Sequence, residues 1–126
     1  MTADAHQVMN GLVTEDQLLT TVMEMAAAYG YLAYHPRPAR TQKGWRTLTQ
    51  GDPGWPDVVL CRPAMHYPSN IMDGPLGDLL ILELKTELGQ PTTGQRMWLG
   101  ALQDAGVEAR VLRPSDLEWL KERLSR

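Results

Sequence analysis

A chain of 126 residues, 43% apolar and 21% charged, has the length of one domain and an ordinary globular composition, which excludes a disordered polar chain. Its one cysteine, Cys61, excludes an internal disulfide and a cysteine-rich metal site and fits a reducing compartment. The net charge of −3 excludes a body coated in positive charge for DNA. The charge is nonetheless uneven. Residues 25–51 hold Arg37, Arg40, Lys43 and Arg46 and no acid, so a basic segment interrupts an acidic body. The N-terminal MTADAHQVMNG lacks a basic-then-apolar leader pattern, and no apolar run approaches the roughly 20 residues of a membrane helix. The expectation is a soluble, cytoplasmic protein with no membrane partner.

Residues 1–13 are polar and irregular and read as a flexible tail, leaving 14–126 as the single domain. Thr14 and Gln17 have capping-box spacing, and Leu18, Val22, Met25 and Tyr29 form one helical face that ends at Gly30. Residues 31–35 predict a short strand ended by Pro36 and Pro38. Residues 36–54 read as a long loop carrying the basic side chains, Trp45 and the Asp52-Pro53-Gly54 turn signal. Residues 56–61 predict the next strand, with Pro56 at its tolerant first position and Cys61 as a small buried residue.

Arg62 to Gly77 reads as a Pro- and Gly-rich loop or loose hairpin, and residues 78–85 as the central strand. Its four apolar residues from Leu79 to Leu82 predict burial on both faces. The alternation Glu83-Leu84-Lys85 then puts an acid and an amine on one face. The short separation predicts antiparallel pairing of the two strands. Thr92 and Gln95 box the start of a second helix with Met97, Trp98, Ala101, Leu102 and Ala105 on its apolar face. A strand over 108–112 follows, then a helix opened by Pro114-Ser115 with Ser115 and Glu118 as its box and Leu117, Leu120 and Leu124 buried. Trp98 and Trp119 read as core or interface residues. The order is α-β-β-β-α-β-α, an α/β fold.

Antiparallel pairing brings Asp57, at the start of one strand, beside Glu83, at the end of the other. Two adjacent carboxylates raise each other's pKa, and a hard divalent cation removes that cost. An ammonium beside them, Lys85, suits metal-assisted phosphodiester hydrolysis. Taken alone, Glu83 and Lys85 also match a solvent-facing strand end with an ion pair of ~0–1 kcal/mol. Gln95 matches a cap, Glu15 an acid compensating a helix dipole, Asp57 a turn acid and His35 a strand-end residue. The histidines His6, His35 and His66 lack zinc-ligand spacing.

Pro56-Asp57 followed by Glu83-Leu84-Lys85 has the form PD-(D/E)XK, the signature of a large nuclease superfamily. With a helix starting at Glu15 before it and Gln95 after it, the series resembles the VRR-NUC family, specifically its small stand-alone phage-type members. The likeness runs from about Glu15 to Leu117 and includes ELKTELGQPTTGQRMWL and RPSDLEWL. The resemblance implies a restriction-endonuclease-like core with a central mixed sheet flanked by helices. It implies a Mg²⁺- or Mn²⁺-dependent endonuclease, Holliday junction resolvase-like, acting on branched DNA as a homodimer and phage-encoded in a bacterial host. Asp57, Glu83 and the backbone carbonyl of Leu84 would ligate the metal. Lys85 would be the catalytic lysine and Gln95 a site-lining residue. Glu15 would be the helix acid, with Glu24 the alternative. His35 and Arg40 match polar positions near the site. Arg37, Arg40, Lys43 and Arg46 would contact phosphates, and Trp45 could stack on an unpaired base. The competing expectation is a DNA-binding module on the same fold that does not cut or needs a partner protein.

Overall fold

The computed structural model describes residues 9–37, 39–46, 49–64 and 76–126. Its elements are α1 (Glu15–Ala28), β1 (Leu32–Tyr34), β2 (Ala39–Thr41), β3 (Gly44–Arg46), β4 (Val58–Arg62), β5 (Asp78–Leu84), α2 (Thr93–Asp104), β6 (Glu108–Leu112) and α3 (Leu117–Leu124). The fold is α/β. Strands β1, β4, β5 and β6 form one sheet in that order, and β2 pairs only with β3. β1 runs antiparallel to β4 and β4 antiparallel to β5, whereas β5 and β6 are parallel with α2 between them in sequence. Parallel neighbours need such a crossover, and a helix supplies it.

Alternation along β5 divides the core. Leu80, Leu82 and Leu84 join Leu18, Val22 and Ala26 of α1 and Leu120 and Leu124 of α3 on one face of the sheet. Ile81 joins Leu99 of α2 and Ala109 of β6 on the other. Burying each such leucine contributes about 1.5–3 kcal/mol, so the β5 run anchors both layers. Both helices that begin with a Thr-x-x-Gln box form it. Gln17 N–H donates to Thr14 Oγ1 at 3.1 Å, and Gln95 N–H to Thr92 Oγ1 at 3.2 Å.

Several details differ from the sequence expectations. The segment 36–54 is not simply a loop, because β2 and β3 make a hairpin inside it, with Arg40 directly across from Trp45. Cys61 is exposed, because α2 covers the β5–β6 half of its sheet face and leaves the β4 end open. On α2 the buried residue is Leu99, while Met97 is 70% exposed. The last helix is preceded by a 3-10 turn over Pro114–Asp116, and its entry is closed by Arg113 N–H donating to Asp116 Oδ2 at 2.9 Å rather than by Ser115. Residues 9–11 form a helical turn; the rest of the expected tail up to residue 8, and residues 65–75, lie outside the described residues. Among the described residues no helix is long and apolar enough to cross a membrane.

The end of β5 away from the carboxylate pair is fixed by charge. Arg123 is 7% exposed and lies between Asp78, at 2.7 Å, and Glu108, at 2.9 Å. The Tyr31 hydroxyl donates to Asp78, and the Arg62 guanidinium lies 4.7 Å above the Tyr31 ring.

Candidate active site

The register of β4 against β5 places Val58 opposite Leu82, so one step further Asp57 stands opposite Glu83. Two features hold that meeting. Pro56 is fully buried beneath the strand start, and Asp57 Oδ2 accepts the backbone N–H of Leu84 at 2.8 Å. In an extended strand the carbonyl of a residue lies on the same edge as its N–H, so the Leu84 carbonyl is turned toward Asp57 as well.

Glu83 is only 1% exposed. Lys85 Nζ lies 3.7 Å from Glu83 Oε1, and the Lys85 side chain is itself 13% exposed. Glu83 Oε2 is buried without a hydrogen-bond partner. Burial first, and then the neighbouring Asp57, raise the Glu83 carboxyl to about 8, with Lys85 acting in the opposite direction. The charge of Glu15 also raises it, which places the first-turn acid of α1 within electrostatic reach of the site. Both acids are exposed, but Glu15 is three residues before buried Leu18 and shares its stripe, whereas Glu24 lies off that stripe. Glu15 is therefore the helix acid associated with the pair.

The loop after Lys85 is tied to the body by a residue that the sequence does not flag. One Arg113 nitrogen donates to the carbonyls of Thr86 at 2.7 Å, Glu87 at 3.1 Å and Gly89 at 2.6 Å. A long cation after a strand reads as a surface residue, so nothing in the local pattern marks it.

The other expected site residues separate into two groups. His35 Nδ1 lies 2.7 Å from the Asp57 carbonyl oxygen. A carbonyl only accepts, so Nδ1 carries the proton and His35 braces the strand start. Gln95 is held in its cap, its Oε1 accepting Thr92 N–H at 2.8 Å. Its backbone reaches the site region indirectly, because a Cβ on Gly54 (φ +102) would come within 2.6 Å of Gln95 N. Arg37, Arg40, Lys43, Trp45 and Arg46 are exposed on and before the β2–β3 hairpin, with Trp45 at 70%. They form a separate basic feature on the β2–β3 side of the chain.

Beside Asp57 opens a cleft of ≈ 800 Å³ that the sequence does not anticipate. Asp16, Tyr34, His35, Trp55, Asp57 and Trp98 are among the residues that line it. Trp55, two residues before Asp57 in the GWPD run, was the available signal.

Among the described residues no group of three or more His, Cys, Asp and Glu side chains is arranged to hold a metal ion. The donors present are two carboxylates and a backbone carbonyl, all hard oxygens. Mg²⁺ is commonly held by one or two carboxylates with water and phosphate oxygens completing its shell. The unpartnered Glu83 Oε2 fits such a cation, which would satisfy it and remove the repulsion from Asp57. Comparison with protein-family models, curated proteins and solved structures gives no match.

Proposed function

We propose that this chain is a divalent-metal-dependent endonuclease that hydrolyses DNA phosphodiester bonds, of the VRR-NUC type and with a restriction-endonuclease-like core. The observation that carries the proposal is the buried Glu83 carboxylate, with one oxygen 3.7 Å from Lys85 and the other unpartnered, opposite Asp57. A surface ion pair has no reason to be buried this deeply or to face a second acid. Burying an ionisable side chain with one oxygen unpartnered is costly, and sites that retain such a cost are commonly functional.

Asp57, Glu83 and the Leu84 carbonyl would hold Mg²⁺ or Mn²⁺. The ion, when bound, polarises the phosphate and lowers the pKa of attacking water. Lys85 places an ammonium beside the same spot, where it can orient the water and offset negative charge developing on phosphorus. Asp57 does double duty, since its second oxygen fixes the strand end that presents Glu83 and Lys85. Arg37, Arg40, Lys43 and Arg46 would bind phosphates outside the acidic site. A chain of this kind acting on a symmetric four-way junction would work as a homodimer, because two nicks need two sites. Its working compartment would be the cytoplasm of a bacterial host.

The test is cleavage of linear, flap, fork and four-way DNA with and without Mg²⁺ or Mn²⁺. Metal-dependent nicking, strongest on branched substrates and abolished in Lys85→Ala with DNA binding retained, is the expected result. Cutting by Lys85→Ala at the wild-type rate would refute the assigned chemistry. Binding of DNA with neither metal uptake nor cleavage would favour a non-cutting DNA-binding module.

A further inference from the structure

The cleft beside Asp57 has a lining unlike that of a phosphate site. Trp55, Trp98 and Tyr34 supply its aromatic surface, and Asp16, Asp52 and Asp57 its charge. No lysine or arginine is among its described lining residues. Trp55 and Trp98 meet edge to face, with ring centroids 5.0 Å apart and planes at 84°. Trp98 Nε1 donates to the Asp52 carbonyl at 3.3 Å, which fixes its ring. Trp55 remains 40% exposed and Tyr34 62% exposed. A large aromatic side chain left this open beside an acid is not explained by the core.

The loop that carries Trp55 is built in place rather than loosely laid. Gly54 lies so close to α2 that a Cβ there would fall 2.3 Å from the Gly94 carbonyl carbon. Only glycine permits that approach and that positive φ together. The aromatic wall is thus fixed to the same helix that covers the sheet.

We infer that this cleft receives one unpaired nucleobase of a DNA strand whose phosphate lies at Asp57 and Glu83. A base is neutral and flat. It can stack on Trp55 and Tyr34, while Asp16 and Asp52, with no lysine or arginine among the described lining residues, disfavour a phosphate inside the cleft itself. The phosphates have their own partners on the β2–β3 hairpin. The volume lies within the range of about 300–1,000 Å³ typical of small-ligand sites. The inference deepens the nuclease proposal by naming its substrate as DNA with an unpaired base next to the cut. It rests on that proposal only for the position of the phosphate.

The test is binding in EDTA, where no cutting occurs, with oligonucleotides carrying 2-aminopurine either unpaired in a flap or fully paired. Wild type should quench the unpaired probe and not the paired one. Trp55→Ala should relieve the quenching and weaken flap binding roughly 5- to 150-fold, the span expected for removal of one base–aromatic stack. Binding to blunt duplex should stay unchanged, and Trp55→Phe should keep most of the flap affinity. A melting curve on each variant separates misfolding from loss of stacking. Absence of quenching in wild type, equal loss on flap and duplex, or relief by Trp45→Ala in place of Trp55→Ala would each overturn the inference. So would equal affinity for free dAMP and the strand-borne base. If wild type cuts DNA and Trp55→Ala discriminates as wild type does, this inference fails and the nuclease proposal stands. Quenching in EDTA by a protein that cuts nothing with metal gives the reverse outcome.

Discussion

Asp57 Oδ2 accepts the backbone N–H of Leu84 at 2.8 Å, so the first acid of the candidate site holds the residue between Glu83 and Lys85. On the proposed reading one side chain has a structural and a chemical duty, and substitution can separate them. Asp57→Asn retains an oxygen to accept from Leu84 but offers no negative charge to a cation. It should fold near wild-type stability and lose metal-dependent cleavage. Asp57→Ala leaves the buried Leu84 N–H without an acceptor and should lose about 1–3 kcal/mol as well. Urea melts of both variants check this. Equal stability of the two would remove the structural duty.

Glu83 gives a pH signature. Its carboxyl is raised from 4.5 to about 8, chiefly by burial and then by Asp57. A carboxyl whose folded-state pKa is raised contributes stability that is complete below 4.5 and is lost as pH rises through about 8. Glu83→Gln has no proton to lose. It should therefore melt above wild type near pH 9 and approach wild type near pH 5, with part of the gain offset because Lys85 loses its partner. Mg²⁺ should raise the wild-type melting temperature at the higher pH and leave Glu83→Gln unmoved. Parallel pH profiles for the two proteins would contradict the burial-driven shift.

Most of the frame could be read from local pattern. The run Leu79 to Leu82 signals a strand buried on both faces, and Thr14 and Thr92 each sit three residues before a glutamine that closes a box. Those signals are local and the structure retains them. The details that escape depend on which surface another element covers. Cys61 reads as core because it continues an apolar strand, yet α2 stops short of it. Met97 reads as part of an apolar helix face, yet the helix turns Leu99 inward. The β2–β3 hairpin hides among prolines and charges that give no period-two alternation. Trp55 meets Trp98 across 43 positions of sequence, and Arg113 reaches back to Thr86; no local spacing encodes either meeting. Glu15 could not be chosen over Glu24 until the packed face of α1 was known.

The basic hairpin predicts a salt signature. Arg40 lies across from Trp45, and Arg46 is on the partner strand, paired with Ala39. Removing one cation that neutralises a phosphate should reduce the slope of log K against log salt by about 0.9 on duplex DNA. Arg40→Gln and Arg46→Gln should each show that change, with an effect on melting stability within about 0.5 kcal/mol, as for ordinary exposed positions. Affinity measured at several salt concentrations is the readout. An unaltered slope in the double variant would place the phosphates elsewhere on the chain.

The far end of β5 offers a control for all of these, because it carries charge without site chemistry. Arg123 holds the Asp78 carboxyl down to about 2, from an ordinary 3.8, mainly through their hydrogen bonds. A lowered carboxylate pKa contributes stability that is present above 3.8 and lost as pH falls through about 2. Wild type should thus lose stability across that acid range, and Asp78→Asn should show a flatter acid limb from a lower starting point. Arg123→Met strands Asp78 and Glu108 beside each other. Breaking a fully buried pair costs about 3–5 kcal/mol; both acids here keep some solvent, so about 2–3 kcal/mol is expected. Asp78 and Glu83 sit at opposite ends of the same strand, so cleavage measured well below the melting temperature should be unchanged in Arg123→Met. A loss of activity without a loss of stability would mean that the two ends of β5 are coupled, which rigid packing of Leu80 and Leu82 between them does not predict.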